Sequence, residues 1–240
     1  KKEKRELAKE KKKKERQKDE LQSSLKKFVV IALIVGAVGY FGYKVYSFFT
    51  APVPEVAKEP VNVVESDWVK GAEQAEAVLI EYGDFQCPAC GAYYPMVKQL
   101  IDDYPEDLKV VYRHFPLPSH SNAIPAALAS EAAGDQGKFW EMHDKLFERQ
   151  QEWSDIRSPK DVFIEYAEEI GLDIEKFESY YDSDEAKDAV NADMLSGNKL
   201  GVNATPTFYL NGTKLQPVRS YDEFSTRIQE VINQNGSNGS

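Results

Sequence analysis

Glu81-Tyr82-Gly83-Asp84-Phe85-Gln86-Cys87-Pro88-Ala89-Cys90 decides how this chain is read. It holds both cysteines of the 240 residues, spaced so that one helical turn brings them together. It comes directly after Val78-Leu79-Ile80, an apolar run that reads as a buried strand. A helix opening near Cys87 sets that thiol beside the unpaired N–H groups of the first turn, where the macrodipole favours thiolate over thiol. The pKa falls and the sulfur becomes reactive at neutral pH. Cys90 then lies one turn deeper on the same face, within reach of Cys87 for a disulfide. Pro88 suits the first helical position, where its missing N–H has no intrahelical partner. The spacing therefore predicts Cys87 as nucleophile and Cys90 as resolving thiol, with Pro88 and Ala89 in the helix start between them.

Two other uses of the pair compete. Zinc wants four ligands, and His114, His120 and His143 stand well apart with no second cysteine pair, so no metal is expected. A structural disulfide closing so short a loop removes little unfolded-state entropy and makes a poor staple. Thiol–disulfide chemistry, which needs no cofactor, is the reading retained. The three histidines are taken as packed or capping residues, with His114 the one that could lie near the site.

The chain before this stretch is two electrostatic objects joined together. Residues 1–27 carry 13 Lys/Arg against 6 Asp/Glu, a local charge of +7, which leaves −17 on the remaining 213 residues. Alone, the basic arm suggests nucleic-acid binding or a solvated helix laced with Glu–Lys pairs. The neighbouring segment decides otherwise, and no nucleic-acid partner is expected. Residues 28–49, FVVIALIVGAVGYFGYKVYSFF, carry a single charge, Lys44. At about 1.5 Å per residue they span about 33 Å, enough for a hydrocarbon core of about 30 Å. Lys44 can snorkel near the far end, and Tyr40, Tyr43 and Tyr46 suit an interfacial belt. Positive charge on the N-terminal side predicts a cytoplasmic arm and an extracytoplasmic remainder. The long charged arm and the poor match of Thr50-Ala51-Pro52 to a cleavage site favour an uncleaved signal anchor over a removed signal peptide. Gly36, Gly39 and Gly42 recur every third residue, unlike the four-residue spacing of a dimer motif, and predict no partner helix.

Residues 50–66, with three prolines, read as an extended spacer. The acidic domain is expected over 67–233, and the low-complexity residues 234–240 as a flexible tail. Within the domain, residues 88–103 predict a helix kinked at Pro95. Residues 108–115 alternate like a strand that ends at Pro116. A long helical block comes next: an Ala-rich helix capped by Ser121 or Asn122, another over 138–150, a third from Ser158-Pro159 to before Gly171, and two short ones around Phe177 and over 186–195. Residues 207–210, a turn at Asn211-Gly212 and residues 213–215 predict a hairpin. An amphipathic helix over 221–233 closes the domain.

Strand, C-x-x-C helix, strand, helical insert, Thr205-Pro206 before a hairpin and a final helix together resemble the DsbA-like branch of the thioredoxin superfamily, over roughly residues 67–233. The carriers are the ten residues from Glu81 through Cys90, Tyr112-Arg113-His114-Phe115-Pro116-Leu117, and Val202-Asn203-Ala204-Thr205-Pro206-Thr207-Phe208. The resemblance implies an α/β thioredoxin fold with a helical insertion. It also implies that the bond before Pro206 is cis, where an ordinary trans proline at a strand start is the alternative. Pro206 would then pack against the redox pair and present the Thr205 backbone to an extended substrate. Glu81 matches the acid buried beneath the disulfide in that family, where it would shuttle a proton to or from Cys90. A solvent-facing strand residue is the alternative, since period alone cannot fix its face. Pro88-Ala89 lacks the histidine of the best-known member, so thiolate stabilisation is expected to rest more on the helix N-terminus.

The expected activity is an extracytoplasmic thiol–disulfide oxidoreductase of a bacterial envelope. It would introduce disulfides into reduced secreted or envelope proteins and be reoxidised by a membrane partner. A reductase or isomerase of the same fold, or a tethered binding protein with an inert disulfide, are the alternatives. Asn203 and Asn211 begin glycosylation sequons, but a glycan on Asn203 would block the substrate groove and Asn211 belongs to its turn, so none is assigned.

Overall fold

The computed structural model describes residues 61–238 together with Gly36, Gly39, Tyr40, Gly42, Tyr43 and Lys44, which are helical. The chain divides into two compact units, Lys1–Glu55 and Val56–Ser240, and the sheet and its helices belong to the second. The basic arm, most of the expected membrane segment over 28–49 and the first part of the spacer lie outside the described residues. Among the described residues no helix is long and apolar enough to cross a membrane.

The strands of the described residues form one sheet in the order β1-β3-β2-β4-β5, with β1 at Trp68–Gly71, β2 at Ala77–Gly83, β3 at Leu108–His114, β4 at Thr207–Leu210 and β5 at Thr213–Lys214. β2 and β3 run parallel, Glu81 opposite Tyr112, and a parallel pair needs a crossover. Helix α1, Pro88–Asp103, supplies it and runs on through Pro95. On its other side β2 pairs antiparallel with β4, Glu81 opposite Phe208. The strand that leads into the cysteines is thus central, and the proline before β4 arrives beside it.

Both faces of β2 are covered, which is why it reads as a continuous apolar run. Leu79 packs with Leu100 of α1 and with Phe224 and Ile228 of the final helix, while Ile80 and Tyr82 pack on the opposite face with Val111, Phe115 and Val202. The hairpin turns at Asn211 and Gly212, whose φ values of 46° and 79° are the left-handed pair that a type I′ turn needs. Asn211 also uses both ends of its amide, accepting from Val78 N at 2.7 Å and donating to the Glu76 carbonyl at 2.9 Å.

Between β3 and β4 stand the helices of the insert: α2 at Ala123–Gly134, α3 at Phe139–Glu148, α4 at Gln150–Trp153, α5 at Lys160–Glu169, α6 at Ile174–Tyr181 and α7 at Asp184–Lys199. The alanines of α2 put it at their centre, since small side chains let neighbouring helices close in, and its residues from Ala126 to Gly134 are buried. Ser183 caps α7, its hydroxyl accepting from Ala186 N at 3.1 Å.

Several expectations are corrected. Strand β1 carries no periodic signal in four residues, yet Trp68 fixes it: the indole stacks on Phe139 at 4.6 Å and donates to Glu131 Oε1 at 2.7 Å. A Cβ at Gly134 would stand 2.3 Å from that ring, so glycine is needed there. The spacer does not reach Ser66, because Val61 is buried in the core and the Asn62 carbonyl accepts from Arg113 at 2.7 Å. Asn122 precedes α2 but makes no cap bond; its amide faces the far end of α4 instead. The last helix, α8, covers Tyr221–Asn238, so it continues past residue 233 into the stretch expected as a flexible tail. Polar residues and a glycine weaken a helix by about 1 kcal/mol at most each, too little to stop it at once.

Candidate active site

Gly83 ends β2, and the loop Asp84–Gln86 turns the chain into α1. Asp84 organises that turn from a buried position, accepting from Gln86 N at 2.8 Å through one carboxylate oxygen. Its other oxygen accepts from Leu117 N at 2.9 Å and meets His120 Nδ1 at 2.7 Å. This is an Asx turn tied to the loop after β3. His120 is therefore a loop anchor, a structural role in keeping with the reading of the histidines. The bond to Gln86 N is local, but the partners that tie Asp84 to the loop after β3, Leu117 and His120, are more than thirty residues away and carried no spacing signal in the sequence.

Cys87 is the N-cap residue of α1, with Pro88 in the first turn and no side-chain cap bond. Both cysteines are free thiols. Cys90 is fully buried, and Cys87 is 7% exposed. The helix start is open to solvent at Pro88 and Ala89 but narrowly so at the sulfur-bearing residue itself. The two thiols are pushed in opposite directions. A hydrogen bond from Cys90 draws the Cys87 pKa down from 9.0 to about 5, against burial, with further help from the Thr205 side chain and the N–H groups of Cys90 and Ala89. Burial, then the hydrogen bond to Cys87 and the nearby Glu81 and Cys87 charges, push Cys90 well up. The helix N-terminus thus contributes to the thiolate, as the absence of a histidine between the cysteines led one to expect, and the second thiol, which the sequence reading did not weigh, contributes most.

The Thr205–Pro206 peptide bond is cis, and the Thr205 carbonyl accepts from Cys87 Sγ at 3.5 Å. The Thr205 hydroxyl is buried with no hydrogen-bond partner at ordinary distance, yet it lies near enough to favour the Cys87 thiolate. Glu81 is 4% exposed, on the face of β2 that Leu79 and Gly83 share. Burial first, and the charge of Cys87 second, raise its carboxyl from 4.5 to about 8. The structure therefore brings Glu81, Cys87, Cys90, Thr205 and Pro206 to one place, where the C-terminal end of β2 meets the N-terminal end of the antiparallel β4.

Phe85 keys this loop into the insert. Its ring stacks on Tyr112 at 5.0 Å and meets Phe147 at 4.9 Å and His143 at 5.6 Å. His143 is buried in that aromatic cluster, and burial lowers its pKa. His114 is buried too, with Nε2 2.8 Å from Glu131 Oε1. The residues that sequence reasoning missed are Gln86, Asn122 and Gln150, whose amides stitch the loop to the insert. Lone polar residues in loops and helix starts give no periodic or motif signal.

These features define a class, the DsbA-like oxidoreductase form of the thioredoxin fold, in which a C-x-x-C helix start faces a proline loop and a helical insert covers one side. The chain belongs to the thioredoxin family, whose model matches residues 64–230. Among solved structures it is similar to oxidised BdbD from Bacillus subtilis, at 25% identity and a TM-score of 0.64, covering 74% of this chain and 98% of that one. The thiol-disulfide exchange protein α-DsbA2 from Wolbachia pipientis shares the fold at 21% identity and a TM-score of 0.60, over 70% of this chain and 88% of that one. Curated relatives include the Na(+)/H(+) antiporter NhaA 1 of Salinispora arenicola, 40% identical over 151 residues, which are 62% of this chain and 22% of that protein. Another is the Na(+)/H(+) antiporter NhaA of Herminiimonas arsenicoxydans, 39% identical over 173 residues, 72% of this chain and 26% of that protein. The chain thus spans about a quarter of the length of the curated relatives it matches.

Proposed function

We propose that this chain is a membrane-anchored, extracytoplasmic thiol–disulfide oxidoreductase that works in the oxidising direction on reduced secreted or envelope proteins. The observation that carries this reading is the split between the two thiols, Cys87 lowered to about 5 and Cys90 raised. A low nucleophile pKa stabilises the reduced pair and so makes the disulfide a stronger oxidant. A value of about 5 falls between the roughly 7 of a reductant and the roughly 3.5 of a strong oxidant. Residues 28–49 would form the anchor, residues 1–27 a cytoplasmic arm, and the spacer after residue 50 would hold the domain off the membrane.

The cycle starts from the Cys87–Cys90 disulfide. A substrate thiolate attacks Cys87 Sγ, the S–S bond breaks, and Cys90 leaves as a thiolate in a buried site. The Glu81 carboxyl, still protonated at neutral pH, gives that sulfur its proton. A second substrate thiolate then attacks the substrate sulfur of the mixed disulfide and expels Cys87 as a stable thiolate. The substrate has lost two electrons and the pair has gained them. A two-electron acceptor in the membrane would restore the disulfide. Thr205 and Pro206 border Cys87 and would hold an extended substrate segment during attack. Ion exchange, the activity in the names of the antiporter relatives, is not carried over, because this chain matches at most 30% of those proteins.

The test is the reduction potential of the Cys87–Cys90 pair in the full chain, equilibrated against graded glutathione buffers. A value above about −180 mV supports disulfide donation, and one near −270 mV makes the chain a reductant. Failure to equilibrate would leave an inert disulfide, the reading that the narrow exposure of Cys87 favours.

A further inference from the structure

Uncharged amide side chains join the helical insert to the cysteine loop. Gln86 of the loop accepts from Asn122 N at 2.6 Å and donates to the Ser154 carbonyl at 2.7 Å. Asn122 in turn donates to the carbonyls of Ser154 and Ile156 at 2.9 and 2.7 Å. These bonds hold the rim of the loop. Gln150, the first residue of α4, reaches further in: its Nε2 donates to the Phe85 carbonyl at 2.6 Å and to the Cys87 carbonyl at 3.0 Å.

That second bond falls on the nucleophile's own backbone. The Cys87 carbonyl already accepts from Gly91 N at 3.1 Å, so Gln150 fills its other lone pair. Two carbonyl acceptors call for an NH2 group, which fixes the orientation of the amide on chemical grounds. Gly91 makes room for it, since a Cβ there would stand 2.8 Å from Gln150 Oε1.

We propose that Gln150 is a positioning residue for the redox pair, whose amide holds the Cys87 carbonyl toward the insert and so keeps the Cys87 sulfur aligned with the N–H groups that open α1. The inference rests on the reading of Cys87 as nucleophile. Its physical basis is the N-cap geometry. Cys87 has φ −69° and ψ 121° and its side chain makes no cap bond, so its own side chain does not fix the peptide plane. Rotation about ψ moves the carbonyl and, with it, the direction of the helix N–H groups relative to Sγ. Gln150 restrains that rotation from outside the helix. As a neutral donor it does so without placing a charge beside the thiolate. The insert thereby acquires a chemical part in the reaction, beyond covering the site.

The test is the thiolate absorbance of the reduced full chain followed against pH, with the rate of alkylation at pH 4, below the Cys87 midpoint, as second readout. Gln150→Met keeps length and packing but removes both donors. Gly91→Ala pushes the amide away with a methyl group that meets only the flexible end of Gln150. Both should raise the Cys87 midpoint by about 0.5–1 unit and slow alkylation about three- to tenfold. Gln151→Met, at an exposed neighbour, should change neither. Unaltered midpoints in folded Gln150→Met and Gly91→Ala proteins overturn the inference, and Gly91→Ala alone decides it if Gln150→Met does not fold. An unsubstituted chain that titrates in the ordinary thiol range would bring down the nucleophile reading as well, which separates the two failures.

Discussion

Glu81 and Cys87 titrate in inverted order. The carboxyl is held up at about 8 and the thiol drawn down to about 5, so near neutral pH the reduced protein keeps a proton on Glu81 and none on Cys87. Ordinary values place the two groups about four units apart in the opposite sense. Burial beneath the helix start does the first, and the hydrogen bonds converging on Cys87 do the second.

Alkylation of Cys87 should therefore stay fast from about pH 8 down to about pH 5 and drop tenfold per unit below that. Since the folded pKa lies below the unfolded one, Cys87 adds stability to the reduced form, fully present above about pH 9 and lost as pH falls through about 5. The melting temperature of the reduced chain, compared with Cys87→Ser, should show a gap that widens across that window. A gap independent of pH would contradict the assignment.

Glu81 works with the other sign. An acid whose folded pKa is raised costs stability progressively as pH climbs from about 4.5, where the unfolded chain ionises, to about 8, where the folded chain does. Glu81→Gln should be near neutral in urea denaturation at about pH 4 and stabilising by about 2–3 kcal/mol at about pH 7. The same variant should slow the first step of exchange, because Cys90 loses its proton source. Equal stability changes at both pH values would mean that the carboxyl is not held protonated.

The Arg113–Asp67 pair ties the segment that leads into β1 to the sheet. Arg113 Nε and a second nitrogen meet the two Asp67 oxygens at 2.7 and 2.8 Å, and a third contact runs to the Tyr82 hydroxyl at 2.9 Å. The Asp67 side chain is only 1% exposed. Arg113→Met should cost about 3–5 kcal/mol by leaving that carboxylate unpaired. Adding Asp67→Asn should recover part of it in a double-mutant cycle. A loss under about 1 kcal/mol would place the pair with exposed ion pairs.

Tyr112 carries a buried hydroxyl with no hydrogen-bond partner, beside Gly83, where a Cβ would lie 2.7 Å from that oxygen. Tyr112→Phe removes a group that has lost its water and gained no partner, so chemical denaturation should show a neutral effect or a gain of up to about 1 kcal/mol. Phe85→Ala, in the same aromatic cluster, should cost about 3–5 kcal/mol. A marked loss in Tyr112→Phe would reveal a hydrogen bond made by that hydroxyl in solution.

The sequence by itself determined the strand, the C-x-x-C helix, the hairpin at Asn211-Gly212 and the helical character of the insert. Those are local matters: apolar runs, cysteine spacing, turn residues and helix period act within a few residues of one another. It also carried the pairing of Cys87 with Pro206 through a resemblance spread over three motifs. Only the tertiary structure decided the face of Glu81, because a strand covered on both sides has no polar face to mark its register. It alone placed Trp68 in a strand, Val61 in the core and Gln150 against the Cys87 carbonyl. Each of these depends on a partner dozens of residues away, and the free energy that selects it arises only when the sheet and the insert close on each other.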